Sequence, residues 1–111
     1  MNQFWDDHQR DLTDPEYARE FTIEQLRIRT IDTIMNTIDD ERQRAGLSKA
    51  ALARAIGANP AAVRRLLSSD GMNPTLGTLA ELAAAVGYKV ELVPMSAAER
   101  RDVTEPLLKS A

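Results

Sequence analysis

Residues 48–69 read SKAALARAIGANPAAVRRLLSS, and the reading of this stretch decides the fold. Ser48 suits an N-cap, because its hydroxyl can accept a hydrogen bond from one of the N–H groups that the first turn of a helix leaves unpaired. Leu52, Ala53 and Ile56 then recur at helical spacing before Gly57, which tolerates the left-handed conformation that ends many helices. A second start follows at once. Asn59 can cap it, and Pro60 suits the first helical position, where a missing N–H costs nothing. Val63, Leu66 and Leu67 make the next apolar stripe, and at about 100° per residue the opposite face carries Ala61, Arg64, Arg65 and Ser68. That face is small and basic.

Two short helices joined at Gly57, with the small Ala53 permitting close contact and Val63 and Leu66 returning to the same core, have the layout of a helix-turn-helix. The stretch resembles the Cro/C1 (Xre) family of helix-turn-helix domains. The resemblance continues into Asn73-Pro74-Thr75-Leu76 and from Leu79 to Gly87, so it spans roughly residues 45 to 90. Lys49, Ala58 and Leu67 depart from the residues usual at their positions in that family.

At 111 residues the chain suffices for one domain with a modest core plus an arm or tail. It contains no Cys, which excludes disulfides and thiolate metal sites. The start, MNQFWDDHQRD, turns acidic where a secretory signal would be apolar. The longest apolar run, Leu82 to Val86, falls far short of the roughly 20 residues that span a bilayer. A soluble cytoplasmic protein without membrane contact is expected.

The formal charge of −3 argues weakly against a nucleic-acid partner, but its distribution reverses that reading. Residues 42–69 hold Arg42, Arg44, Lys49, Arg54, Arg64 and Arg65 and none of the 17 acidic residues. A basic face on an acidic body is the footprint of a protein that presents one surface to phosphate.

Along the rest of the chain, residues 1–13 read as a polar, acidic arm. Asp14-Pro15-Glu16 is a helix start, and Thr22 to Gln25 fits a capping box that begins a second, longer helix or resets the first. Ile31, Ile34, Met35 and Ile38 form the strongest helical stripe, which Ala45 extends and Gly46 stops. Residues 69–74, SDGMNP, are turn chemistry, and Thr75 can cap a helix with Leu76, Leu79, Ala83 and Val86 inward and Gly87 at its end. Tyr88-Lys89-Val90-Glu91-Leu92-Val93 alternates with β-rich character until Pro94, and reads as a strand. Lacking a second strand in the chain, it would pair with its own copy through Tyr88, Val90 and Leu92, unless it merely lies extended along the helices. Ser96 and Glu99 fit another capping box, with Pro106 expected to fray the helix. The expected fold is all-α: a five-helix Cro/C1-type helix-turn-helix domain at 22–94 with a short C-terminal β-strand, an arm and short helix at 1–21, and a tail at 95–111.

An enzyme finds little support here. His8 stands alone in the acidic arm, phosphate-binding and hydrolase motifs are absent, and Asp39-Asp40-Glu41 point in different directions on a helix. No catalytic residue, cofactor or metal is expected. For double-stranded DNA every residue of the motif has a role. Asn59, Pro60 and Ala61 lie deepest in the major groove, where Asn59 can bond adenine or a phosphate and Ala61 can meet a thymine methyl. Arg64 and Arg65 reach guanine edges or phosphate, Ser68 and Lys49 suit phosphate, and Arg54, Asn73 and Thr75 add backbone contacts.

The aromatic residues Phe4, Trp5, Tyr17 and Phe21 precede the strong stripe, and either pack on the back of the domain or anchor a protein partner. Asp14-Pro15-Glu16-Tyr17-Ala18, the motif from Ser48, and Asn73-Pro74-Thr75-Leu76 leading to Gly87-Tyr88-Lys89-Val90-Glu91-Leu92-Val93-Pro94 together resemble HigA-type antitoxins. That resemblance implies a homodimer that represses its own operon and neutralises a small protein toxin. Two recognition helices one DNA turn apart would read an inverted repeat, and the aromatics would then be the anchors for the toxin. The alternative is a stand-alone Xre-family regulator.

Overall fold

The computed structural model describes residues 14–68 and 73–109. Helix α1 (Pro15–Arg44) is followed by α2 (Lys49–Ala55), α3 (Pro60–Leu67) and α4 (Leu76–Ala85). A C-terminal helix, α5, is made of Ala97–Glu99, the π-helical Arg100–Thr104 and Glu105–Lys109. The chain divides into two compact units. One is residues 30–92, and the other combines the described residues before 30 with those from Val93 onward. Among the described residues no helix is long and apolar enough to cross a membrane.

The unit 30–92 is held by an entirely apolar core. Met35 and Ile38 of α1, Leu52 and Ala53 of α2, Val63, Leu66 and Leu67 of α3, and Leu79, Leu82 and Ala83 of α4 are all buried. Ile31, Ile34, Ile56 and Val86 pack half-buried around them. The stripe expected on α1 is therefore real, although Ala45 is exposed in the turn after the helix and does not extend it. Leu76 is a second correction: it is 67% exposed, and Leu82 fills the α4 stripe instead. Leu76 occupies the first turn of α4, where the Cα–Cβ bond leans toward the helix N-terminus and so past the edge of the core.

Helix ends follow local chemistry closely. Ser48, Asn59 and Thr75 cap α2, α3 and α4 with side-chain oxygens that accept from Ala51, from Ala61 and Ala62, and from Thr78. Between α2 and α3, Gly57 sits at φ +66°, and the Ala58 N–H donates to the Ala53 carbonyl at 2.9 Å, which closes the turn. A related turn at Gly46 joins α1 to α2, with the Leu47 N–H on the Arg42 carbonyl at 3.0 Å.

Three expectations change. Thr22 does not start a helix. Its hydroxyl donates back to the Ala18 carbonyl at 2.8 Å, as it does within a continuing helix, so Tyr17 and Phe21 are part of α1 rather than ahead of it. The segment 88–95 is not a strand, and the described residues contain no strand. Backbone groups of a strand need a neighbouring edge, and beyond Tyr88, whose N–H bonds to Ala83, the segment has none among the described residues. Finally, α5 passes through Pro106 to Lys109 rather than fraying there. The turn just before is widened, with the Glu105 N–H on the Arg100 carbonyl, and such a bulge accommodates the ring and the missing donor of a proline. At its start the Ser96–Glu99 capping box is complete. The Ser96 backbone N–H, and then its hydroxyl, hold the Glu99 carboxyl below the usual carboxylate range.

Leu82→Ala should destabilise the protein by about 2–5 kcal/mol, through lost burial and a residual cavity, and Leu76→Ala should change stability by less than about 0.5 kcal/mol. Denaturant titration of both variants checks the contrast. In the same titration Gly57→Ala should cost about 1–2 kcal/mol. A Cβ there meets nothing within 4 Å, so the whole loss is conformational, and Gly57→Asn should recover part of it.

Candidate nucleic-acid interface

The geometry of α3 is set from both sides of its cylinder. Val63, Leu66 and Leu67 are buried, and this holds the other face outward: Ala61, Arg64, Arg65 and Ser68 are all exposed, as their helical spacing predicts. α2 packs on α3, and Ala53 of α2 has no exposure at all, so α3 keeps a fixed outward aspect.

Asn59 serves first as a structural group. Its Oδ1 accepts from the Ala61 N–H at 2.8 Å and from the Ala62 N–H at 3.3 Å. With the oxygen held by the helix, its amide NH2 is the part left to face a ligand, and an NH2 donor fits a phosphate oxygen better than the two-sided pattern of adenine. Pro60 occupies the first position of α3. Ser68 is the C-cap, and its hydroxyl donates to the Arg65 carbonyl at 3.0 Å. On the following helix Thr75 also caps: its hydroxyl accepts from the Thr78 N–H at 3.1 Å and lies 2.9 Å from the Thr78 hydroxyl. Asn73 is exposed just before it.

The six cations of the basic run separate into two groups. Arg42 is tied down: its Nε lies 2.9 Å from Asp39 Oδ1, and an NH1 donates to the Leu47 carbonyl at 2.7 Å. Its guanidinium thus fastens the turn at Gly46 from inside. Arg44 pairs with Glu41 at 2.9 Å. Both acidic partners lie three residues upstream on α1, a spacing visible in the sequence but lying just outside the run of cations. Lys49, Arg54, Arg64 and Arg65 make no ion pair among the described residues. Arg54, Arg64 and Arg65 are exposed, and Lys49 is half-buried at the start of α2.

The fold therefore brings Lys49, Arg54, Asn59, Pro60, Ala61, Arg64, Arg65 and Ser68 onto the α2–turn–α3 element, with Asn73 and Thr75 at the approach to α4. Tyr17 and Phe21 stand on α1 in the other unit, and Phe4 and Trp5 lie outside the described residues, as do residues 69–72 of the expected turn.

A protein family described as a helix-turn-helix domain matches residues 38–94, which is 57 of the 111 residues. The match runs from Ile38 in α1 through α4 to Pro94. No curated protein and no solved structure matches the chain. Two capped helices crossing at a left-handed glycine, the second with an outward cationic face, lie inside the matched span, and the protein belongs to the helix-turn-helix domain family.

Proposed function

We propose that the protein is a sequence-specific DNA-binding transcriptional repressor, acting as a cytoplasmic homodimer on an inverted repeat. As an antitoxin, it also neutralises a small toxin and represses the operon that encodes them both. The observation that carries the DNA reading is the outward face of α3, where Ala61, Arg64, Arg65 and Ser68 are exposed while the opposite face is fully committed to the core. Small side chains let the helix approach base edges, and the two guanidiniums supply donors for guanine or phosphate. In a dimer the two α3 helices would sit one DNA turn apart, roughly 34 Å, and read the two halves of the operator. Lys49 and Arg54 fit phosphate contacts that set the register. The role is one of binding rather than catalysis.

The antitoxin reading is supported by the resemblance of residues 14–18, the motif from Ser48, and residues 73–76 and 87–94 to HigA-type proteins. It is also supported by the placement of Tyr17 and Phe21 on α1, within the unit that does not contain α3. Toxin and operator would then engage different units of one chain.

Arg64→Ala and Arg65→Ala should each weaken operator binding by about 1–3 kcal/mol. Neither should shift the unfolding midpoint, since both side chains are exposed. Gel-shift titration across a salt series measures this, and unchanged affinity in both variants removes α3 from the interface. The antitoxin role is checked by expressing the small reading frame adjacent to this gene: it should arrest growth, and co-expression of this chain should restore it. If neither effect is seen, the protein is a stand-alone Xre-type regulator.

A further inference from the structure

Between α1, α4 and the segment that follows Gly87, the unit 30–92 has an apolar groove of about 230 Å³. Ile34, Ile38, Ala83, Val86, Tyr88 and Val90 are among its lining residues. The segment beside it carries exposed apolar side chains, with Leu92 99% exposed. Residues 89–95 make no backbone hydrogen bond among the described residues. Groove and unsatisfied segment are adjacent, and the charges on the segment say what can cover them.

We infer that two copies of the chain pair antiparallel through residues 88–92 in one register, centred on Val90, and that Leu92 of each copy enters the groove beside Tyr88 of the other; this rests on the dimeric reading above. In a two-fold antiparallel pair the axis stands perpendicular to the ribbon. Opposed residues then point to the same side, so the pairing must be centred on a residue rather than between two. Centring on Lys89 places the two lysines directly opposite each other, and centring on Glu91 does the same with two carboxylates, an unfavourable arrangement in either case. Centring on Val90 places Lys89 opposite the partner's Glu91, Glu91 opposite the partner's Lys89, and Val90 opposite its own copy. Tyr88 then faces the partner's Leu92. Each pair in this register is of a kind that stabilises cross-strand contacts: opposite charges, β-branched with β-branched, aromatic with aliphatic. Pro94, which has no N–H, lies beyond the paired stretch, where it costs no ladder bond.

Sedimentation of the full-length protein, wild type and charge variants, tests the register. Lys89→Glu and Glu91→Lys should each raise the dimer dissociation constant roughly tenfold, because two symmetry-related pairs become repulsive. The double variant Lys89→Glu/Glu91→Lys should restore it to about the wild-type value, since the pairs are only exchanged. As the chain has no cysteine, Val90→Cys gives a single thiol that should cross-link two copies on mild oxidation. Lys89→Cys and Glu91→Cys should not cross-link, because each thiol lies two positions from its own copy. A dimer that ignores both charge reversals and fails to cross-link at position 90 overturns the register but leaves the dimeric repressor standing. A chain that stays monomeric at every concentration and still binds its operator as a monomer overturns both. If added toxin dissociates the dimer and protects residues 88–92 from hydrogen exchange, the groove belongs to the toxin and the self-pairing is wrong.

Discussion

One left-handed residue governs the arrangement of the unit 30–92. Gly57 at φ +66° lets the Ala58 N–H reach back to the Ala53 carbonyl, so α2 ends and α3 starts within a few residues, in a new direction. Ala53 of α2 is fully buried in the core that this crossing forms. Given that crossing, Val63, Leu66 and Leu67 can only face α1, α2 and α4, and the arginines of α3 can only face away. The outward cationic surface is thus a by-product of burial on the other side, and it needs no polar network in the core to hold it.

Features set by neighbours in sequence were legible before any coordinates. The caps Ser48, Asn59 and Thr75, the stop at Gly57, and the stripes of α1 and α3 all depend on spacings of one to four residues, and all occur as read except for Ala45 at the end of the α1 stripe. Features set by what lies further off were not legible. Thr22 has the chemistry of a cap, but a threonine preceded by a formed helical turn bonds back to it instead, and only the fold says which. Leu76 has the right period for the core yet lies past its edge. The β-rich alternation from Tyr88 to Val93 reports a preference, and a preference becomes a strand only when another edge is present.

The candidate site shows the same division. Exposure of Ala61, Arg64, Arg65 and Ser68 was readable from helical periodicity. That the Asn59 oxygen is spent on the Ala61 and Ala62 amides required the turn itself, because a side chain that caps a helix and one that meets a base have the same composition and the same position. Pro106 offers a parallel case outside the site: a proline normally marks a stop, and the widened turn at Arg100–Thr104 removes the reason for one.

The ties made by Arg42 and Arg44 also determine how far the field of the protein reaches. A guanidinium held 2.9 Å from a carboxylate acts at a distance as a small dipole, whose potential decays much faster than that of an isolated ion. Lys49, Arg54, Arg64 and Arg65 act as monopoles, felt out to the screening length of about 8 Å at physiological ionic strength. An approaching polyanion therefore senses α2 and α3 before it senses the end of α1, and a tally of arginines overstates the attraction that turns the molecule toward it.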